Sequence, residues 1–184
     1  MKNDNLYALL AAHFPKAKNA PALILADGRV WTYDDVQHAS ARMAHLLVSL
    51  GLKPGDRVAV QVEKTPEALV LYLATLRAGM VFLPLNPAYQ RHELEYFLGD
   101  ATPGLVVCRP QMRGLIDELA KAAKVPNVLE LDDAGQGSLI DAATPFADTF
   151  ETAPRTGDDL AAILYTSGTT GRSKGAMLTH RNLA

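Results

Sequence analysis

The sequence Thr-Ser-Gly-Thr-Thr-Gly-Arg-Ser-Lys-Gly occupies positions 166–175, directly after the apolar run Leu160–Tyr165. Each residue in it is a glycine, carries a hydroxyl group or carries a positive charge. Glycines let a backbone bend sharply and bring its N–H groups close to a ligand, while hydroxyls and cations bind anionic oxygens. The apolar runs on either side, Leu160–Tyr165 and Ala176–Leu178, are typical of buried strands. The stretch therefore predicts a strand–loop–strand unit whose loop cradles a polyphosphate.

Two other interpretations of this loop fit less well. A Walker-type loop, G-x-x-x-x-G-K-[ST], needs a glycine directly before its lysine and a helix after it. Here Ser173 precedes Lys174, and a strand pattern follows. A mobile Ser/Thr/Gly linker is the second alternative, but such a linker rarely joins two apolar runs and ends in a lysine.

The loop resembles the signature loop of the adenylate-forming (ANL) superfamily, which includes acyl-CoA synthetases, peptide-synthetase adenylation domains and luciferases. The superfamily form is T-S-G-[ST]-[ST]-G-x-P-K-G. The positions that match it are Thr166, Ser167, Gly168, Thr169, Thr170, Gly171, Lys174 and Gly175. Ser173 departs from the form, because proline is commoner at that position. A serine there changes the stiffness of the loop but leaves its charge and its hydrogen-bond donors in place.

Similar stretches occur along the whole chain. Trp31–Tyr33 resembles the superfamily's "WTYxEL" stretch at the start of its first long helix, Gly55–Ala59 its "GDRVAV" strand, and Phe82–Asn86 its "PLN" segment. Within the superfamily, Val62–Ala78 and Gly171–Met177 look most like malonyl-CoA synthetases.

The resemblance implies a ligase that uses ATP and Mg2+ to join malonate or methylmalonate to coenzyme A through an acyl-adenylate. The loop would bind the β- and γ-phosphates, and Thr166 would be the hydroxyl nearest to the metal. The nucleotide-binding residues implied in this way are Thr166, Ser167, Gly168, Thr169, Thr170, Gly171, Arg172, Ser173 and Lys174. No catalytic residue is assigned within this chain.

Superfamily members are much longer than these 184 residues. The resemblance therefore implies an N-terminal fragment that lacks the adenine-, ribose- and metal-contacting segments and the C-terminal catalytic lysine, and we expect it to be inactive alone. A fragment of a peptide-synthetase adenylation domain and a non-catalytic nucleotide-binding module are the alternatives.

Composition suits one globular domain or slightly more, with 48% hydrophobic residues and a formal net charge of −2. The near-neutral charge gives no reason to expect a nucleic-acid partner. No apolar run approaches the ~20 residues that span a bilayer, and the N-terminus lacks the apolar core of a signal peptide.

Cys108 is the single cysteine and follows an apolar run, so we expect a buried thiol, no intrachain disulfide and a cytoplasmic protein.

Hydrophobic spacing predicts alternating strands and helices, with a hairpin at Asp27-Gly28 and helix N-caps at Thr32 and Thr65. This alternation predicts an α/β fold, a layered sheet with parallel βαβ units. By resemblance it is the N-terminal part of the large domain of an acyl-CoA synthetase. We expect an N-terminal α/β subdomain at 1–159, with a surface connection near 132–159, and the strand–loop–strand unit with the start of a truncated helix at 160–184.

The five histidines show no metal-ligand spacing. Each is expected to be a surface or structural residue, and they are His13, His38, His45, His92 and His180. A phosphate contact remains open for His180, because it follows the loop closely in sequence.

Overall fold

The computed structural model describes residues 3–17, 19–166 and 173–184. Its helices are α1 (Leu6–Ala11), α2 (Tyr33–Ser49), α3 (Pro66–Arg77), α4 (Arg91–Ala101), α5 (Arg113–Ala123), α6 (Ser138–Ala143) and α7 (His180–Leu183), with a 3-10 turn at Pro110–Met112. Its strands are β1 (Pro21–Ile24), β2 (Val30–Thr32), β3 (Arg57–Gln61), β4 (Val81–Pro84), β5 (Leu105–Cys108), β6 (Val128–Glu130), β7 (Leu160–Thr166) and β8 (Lys174–Thr179). Among the described residues, no helix is long and apolar enough to cross a membrane.

A six-stranded sheet in the order β6-β5-β3-β4-β7-β8 forms the centre of the fold. The strands from β6 to β7 pair in parallel, and β8 pairs with β7 antiparallel. The hairpin β1–β2 forms a separate two-stranded sheet at the predicted Asp27-Gly28 turn. The predicted α/β class with parallel βαβ units is confirmed, and β7 and β8 lie on either side of residues 167–172, which are outside the described residues.

Helices cover the two faces of the parallel strands. On one face, Val58 and Val60 of β3 pack in a buried cluster with Leu71 of α3 and with side chains of α2 and α6. On the other face, Ala59 packs with Phe97 of α4 and with side chains of α5. Alternate residues of a strand point to opposite faces, so β3 is apolar throughout its middle because both of its faces are covered.

The helix ends follow from local sequence signals. Thr32 and Asp35 form a reciprocal capping box at the start of α2, and the Thr65 hydroxyl accepts a backbone N–H at the start of α3. Gly51 and Gly79 follow the ends of these helices with φ of +88° and +73°, a left-handed conformation that favours glycine. The predicted caps at Thr32 and Thr65 are confirmed.

The N-terminal segment is tied to the end of the described chain. The Asn5 side chain donates to the carbonyl oxygens of Leu76 at 2.7 Å and Ala153 at 2.9 Å. The backbone N–H of Leu6 donates to Nδ1 of His180 at 3.0 Å. These contacts fix α1 against α3 and against the start of α7.

Arg77 joins α3 to two other segments from a nearly buried position. Its guanidinium donates to the carbonyl oxygens of Gln37 and Phe150, each at 2.8 Å, and lies over the Tyr7 ring at 4.8 Å. The backbone around Phe150 is therefore held by a buried charge.

Candidate functional site

The predicted phosphate-binding loop lies where β7 ends and β8 begins, at the carboxyl edge of the parallel strands. Open α/β sheets bind ligands at this edge. Thr166, Ser173 and Lys174 are described by the structure. The other predicted site residues lie outside the described residues, and they are Ser167, Gly168, Thr169, Thr170, Gly171 and Arg172.

Thr166 and Lys174 are cross-strand partners, and both are exposed. They share one face of the sheet with Ala162, which pairs with Phe82 of β4. No carboxylate forms an ion pair with Lys174 among residues 3–17, 19–166 and 173–184. The structure thus brings one hydroxyl and one unneutralised ammonium group together at the ends of the two strands.

A cleft of about 1100 Å3 opens on the same face, beside the ends of β3 and β4. Its walls are mainly apolar and include Val62, Leu69, Tyr72, Phe82 and Pro84. The face that carries Thr166 and Lys174 therefore borders a concave apolar surface.

The opposite face of β7 and β8 packs against α4. The Tyr165 ring stacks on Phe97, with 4.2 Å between centroids, and the Tyr165 hydroxyl donates to the Asp100 carboxylate. Burial, followed by the hydrogen bond to Asp100, raises the pKa of Tyr165 well above its usual value near 10. The phenol therefore stays protonated and keeps donating at neutral pH. Just before the second strand, the Tyr96 hydroxyl donates to the Ser173 carbonyl at 3.0 Å.

Gly175 has a packing reason for being glycine. A Cβ atom at this position would lie 3.0 Å from Cγ2 of Ile163 and 3.4 Å from Cε1 of Tyr165. Gly175, the last glycine of the motif, thus lets β8 lie close to the Tyr165 ring. The sequence alone indicated only that the loop glycines let the backbone bend and come close to a ligand.

The comparison with protein families decides the assignment, because the sequence pattern of the AMP-binding enzyme family matches residues 10–184. The chain belongs to the AMP-binding enzyme family. The predicted membership of the adenylate-forming superfamily is confirmed.

Solved structures of AMP-binding enzymes agree with this assignment. Apo MatB from Rhodopseudomonas palustris is 50% identical with a TM-score of 0.94, and the match covers 99% of this chain and 36% of MatB. ATP-bound MatB from the same organism is 51% identical with a TM-score of 0.93 and the same coverage. The predicted fold is thus that of the N-terminal part of an adenylate-forming enzyme.

Two curated relatives match most of this chain. Novobiocin biosynthesis protein H of Streptomyces niveus is 35% identical over 167 residues, which is 90% of this chain and 27% of the relative. Tyrocidine synthase 2 of Brevibacillus parabrevis is 34% identical over 181 residues, which is 98% of this chain and 5% of the relative. The chain spans about a quarter or less of the length of these relatives.

His180 lies far from Thr166 and Lys174, the described ends of the two strands that flank the phosphate loop. It is fully buried at the far end of β8, where it accepts the Leu6 N–H. Six strand residues at about 3.4 Å each separate it from the loop by roughly 20 Å. The open option of a phosphate contact for His180 is therefore wrong, and the structural option holds. Burial lowers the pKa of His180 below its usual value, and nearby Arg155 adds to this effect.

The predicted buried thiol is confirmed, since Cys108 is fully buried in β5 and burial raises its pKa to about 12. The described residues contain no group of three or more His, Cys, Asp or Glu side chains that could hold a metal. Magnesium prefers oxygen ligands and binds through a few protein oxygens together with substrate phosphates. The exposed Thr166 hydroxyl fits that role as one protein oxygen beside phosphate oxygens.

Sequence reasoning missed the α4 side chains that hold the two strands, namely Tyr96, Phe97 and Asp100. They lie more than sixty positions before their partners on β7 and β8. No local pattern in α4 distinguishes them from ordinary core and surface residues of an amphipathic helix.

Proposed function

We propose that this chain forms the triphosphate-binding part of an ATP-dependent carboxylic acid–CoA ligase that acts on malonate or methylmalonate. The observation that carries the proposal is the pair Thr166 and Lys174, exposed on one face at the carboxyl edge of a parallel sheet. Membership of the AMP-binding enzyme family and the 51% identity to MatB in its ATP-bound structure support it.

The proposed reaction has two steps. A carboxylate oxygen of the acid attacks the α-phosphorus of ATP, the bond from that phosphorus to the bridging oxygen breaks, and pyrophosphate leaves. The thiol of coenzyme A, on losing its proton, then attacks the acyl carbon and displaces AMP. The first step places growing negative charge on the leaving pyrophosphate, so positive charge held beside the β- and γ-phosphates lowers the barrier.

Lys174 supplies that charge in the proposed mechanism. Its ammonium group has no ion-pair partner among the described residues, so it is available to an anion. Lysine binds phosphate as a compact, mobile charge on a flexible stem. Thr166 donates its hydroxyl to a phosphate oxygen or offers its oxygen to magnesium, which when bound screens the phosphates.

The choice of malonate or methylmalonate rests on the resemblance of Val62–Ala78 and Gly171–Met177 to malonyl-CoA synthetases. A dicarboxylate carries a second charge, so its pocket needs a cation where a fatty-acyl enzyme has apolar side chains. An unpaired buried cation penalises an acid that lacks the second carboxylate.

A peptide-synthetase adenylation domain is the second candidate. Tyrocidine synthase 2 matches 98% of this chain at 34% identity, which favours it specifically. The two candidates share the adenylation step and differ in the acceptor, which is free coenzyme A in one and the thiol of a carrier protein in the other.

The test of the adenylation step is ATP–pyrophosphate exchange by the complete natural protein that contains this chain. Lys174→Ala should slow exchange and leave the free energy of unfolding within about 0.5 kcal/mol of wild type, as for most surface substitutions. Lys121→Ala on α5 removes an equally exposed charge remote from the loop and should leave exchange unchanged. Unchanged exchange in Lys174→Ala would count against the proposed role of Lys174.

The test of the acid and the acceptor uses the same protein. We expect kcat/KM to be higher for malonate or methylmalonate than for acetate and octanoate, with acyl-CoA as the product. A preference for acetate or octanoate would overturn the narrower assignment. Adenylation without transfer to coenzyme A would favour the second candidate, and a lack of exchange with any acid would favour a non-catalytic nucleotide-binding module.

A further inference from the structure

The Tyr96 hydroxyl lies at the end of the phosphate-binding loop. It donates to the carbonyl of Ser173 at 3.0 Å, across 77 positions of sequence. Ser173 immediately precedes β8. This hydrogen bond therefore ties α4 to the residue through which the chain enters the second strand.

Asp100 holds the first strand from the same helix. It accepts the Tyr165 hydroxyl one residue before the end of β7. Tyr96 and Asp100 are four positions apart in α4, so they lie on one face of the helix. Phe97, between them, stacks on the Tyr165 ring. One face of α4 thus holds both strands that carry the loop.

The Ser173 carbonyl and the Lys174 N–H belong to one peptide unit, and that unit is planar. Holding the carbonyl therefore fixes the orientation of the backbone that carries Lys174. A rotation of this peptide unit would move the Lys174 ammonium group relative to Thr166, its cross-strand partner.

Position 173 is also where the chain departs from the superfamily motif. Proline, the commoner residue there, locks φ at about −65°. Serine leaves φ of residue 173 free, so the backbone there has more freedom unless another contact limits it. The hydrogen bond from Tyr96 acts on this same residue.

We propose that Tyr96 is a positioning residue for Lys174 at the end of the phosphate-binding loop, and that its hydrogen bond to Ser173 limits the backbone freedom of the residue at which the motif more commonly has a proline. The proposal rests on the proposed function, because it assigns the loop to ATP. The proposal adds that the effect of Tyr96 on ATP binding depends on which residue occupies position 173, and the motif alone does not contain this dependence.

The experiment is a double-mutant cycle in the complete natural protein, with Tyr96→Phe, Ser173→Pro and the double variant. Tyr96→Phe should raise KM for ATP about three- to tenfold, the worth of one hydrogen bond, and leave KM for the carboxylic acid unchanged. With proline at 173, the same Tyr96→Phe change should raise KM for ATP by less than about twofold, because two changes that act on one restraint are not additive.

Tyr89→Phe is the matched control. Tyr89 packs against the same Phe97 ring at 5.0 Å, but it precedes α4, and the hydroxyl that donates to the Ser173 carbonyl is that of Tyr96. Its loss of a hydroxyl should leave KM for ATP unchanged, and all variants should unfold at similar urea concentrations.

The outcomes separate the two proposals. Wild-type protein without any ATP–pyrophosphate exchange refutes the proposed function and this inference with it. Active wild-type protein in which Tyr96→Phe leaves KM for ATP unchanged refutes the inference alone. An equal rise in KM with serine and with proline at 173 also refutes it, since the bond would then act independently of the missing proline.

Discussion

Replacing Gly175 by alanine should destabilise the protein through the packing of β7 against β8. The added Cβ would lie 3.0 Å from Cγ2 of Ile163 and 3.4 Å from Cε1 of Tyr165. Carbon atoms pack best at about 3.5–4.0 Å, so Ile163 would have to move by a few tenths of an ångström, while the Tyr165 ring is already close to contact. Ile163 is β-branched and stiff, and the Tyr165 ring is held by Phe97 and Asp100.

The expected magnitude is the difference between two effects. Overpacking of this kind costs about 1–3 kcal/mol. Alanine also reduces the conformational entropy of the unfolded chain relative to glycine, which stabilises by about 0.4–1 kcal/mol. Because β8 is largely exposed along its length, it can shift, and this favours the lower end of the cost. We therefore expect Gly175→Ala to lower the free energy of unfolding by roughly 0.5 kcal/mol.

Equilibrium urea unfolding of the complete protein measures this change. Gly99→Ala is the control, since Gly99 lies inside α4 and a Cβ there meets nothing within 4 Å. Its helix propensity should make that variant about 0.5–1 kcal/mol more stable than wild type. The two glycine substitutions are thus expected to have opposite signs.

A second substitution tests the cause. Ile163→Leu removes Cγ2 while keeping the side-chain volume, so Gly175→Ala should lose at least half of its cost in that background. Wild-type or higher stability for Gly175→Ala would refute the reasoning. An undiminished cost in the presence of Ile163→Leu would show that the contact with Ile163 is not its source.

Three further predictions concern buried groups. Arg77→Met should lower the free energy of unfolding by about 3 kcal/mol in urea unfolding, because three hydrogen bonds from its guanidinium are lost. Arg42→Met breaks an exposed ion pair with Asp148 and should change it by less than about 1 kcal/mol. The pKa of His180 is lowered in the folded state, so at a pH below the usual histidine pKa near 6.5 the unfolded state binds more protons than the folded state. The free energy of unfolding should therefore fall as the pH drops below about 6.5. His180→Asn should reduce this dependence on pH. The Cys108 thiol, with a pKa of about 12 and no exposure, should not react with thiol reagents at pH 8 until the protein is unfolded in urea.

The elements predicted from sequence are those whose signals are local. Thr32 and Thr65 bond to backbone groups three residues on, and Gly51 and Gly79 adopt the left-handed conformation directly after their helices. These interactions are complete within one helical turn, so the sequence around each residue determines them. The loop motif is local in the same sense, which is why its place between two strands could be predicted.

The rest of the site depends on the order of strands in the sheet, which alternation of strands and helices does not determine. β7 lies next to β4, and this order brings Tyr165 and Ser173 over α4. His180 illustrates the converse. It lies close to the loop in sequence, but the antiparallel course of β8 carries it to the opposite edge of the sheet.

The bond between Leu6 and His180 has a consequence for synthesis on the ribosome. Its two partners are 174 positions apart, so α1 leaves the ribosome long before its binding surface exists. At about 5–20 residues per second, the interval between the two residues is roughly 9–35 s. During that time part of the surface against which Leu6 and Tyr7 pack has not yet been synthesised, so their apolar side chains are available to chaperones. Helix α1 is therefore made long before it can be fully docked, and a slower elongation rate lengthens its exposure.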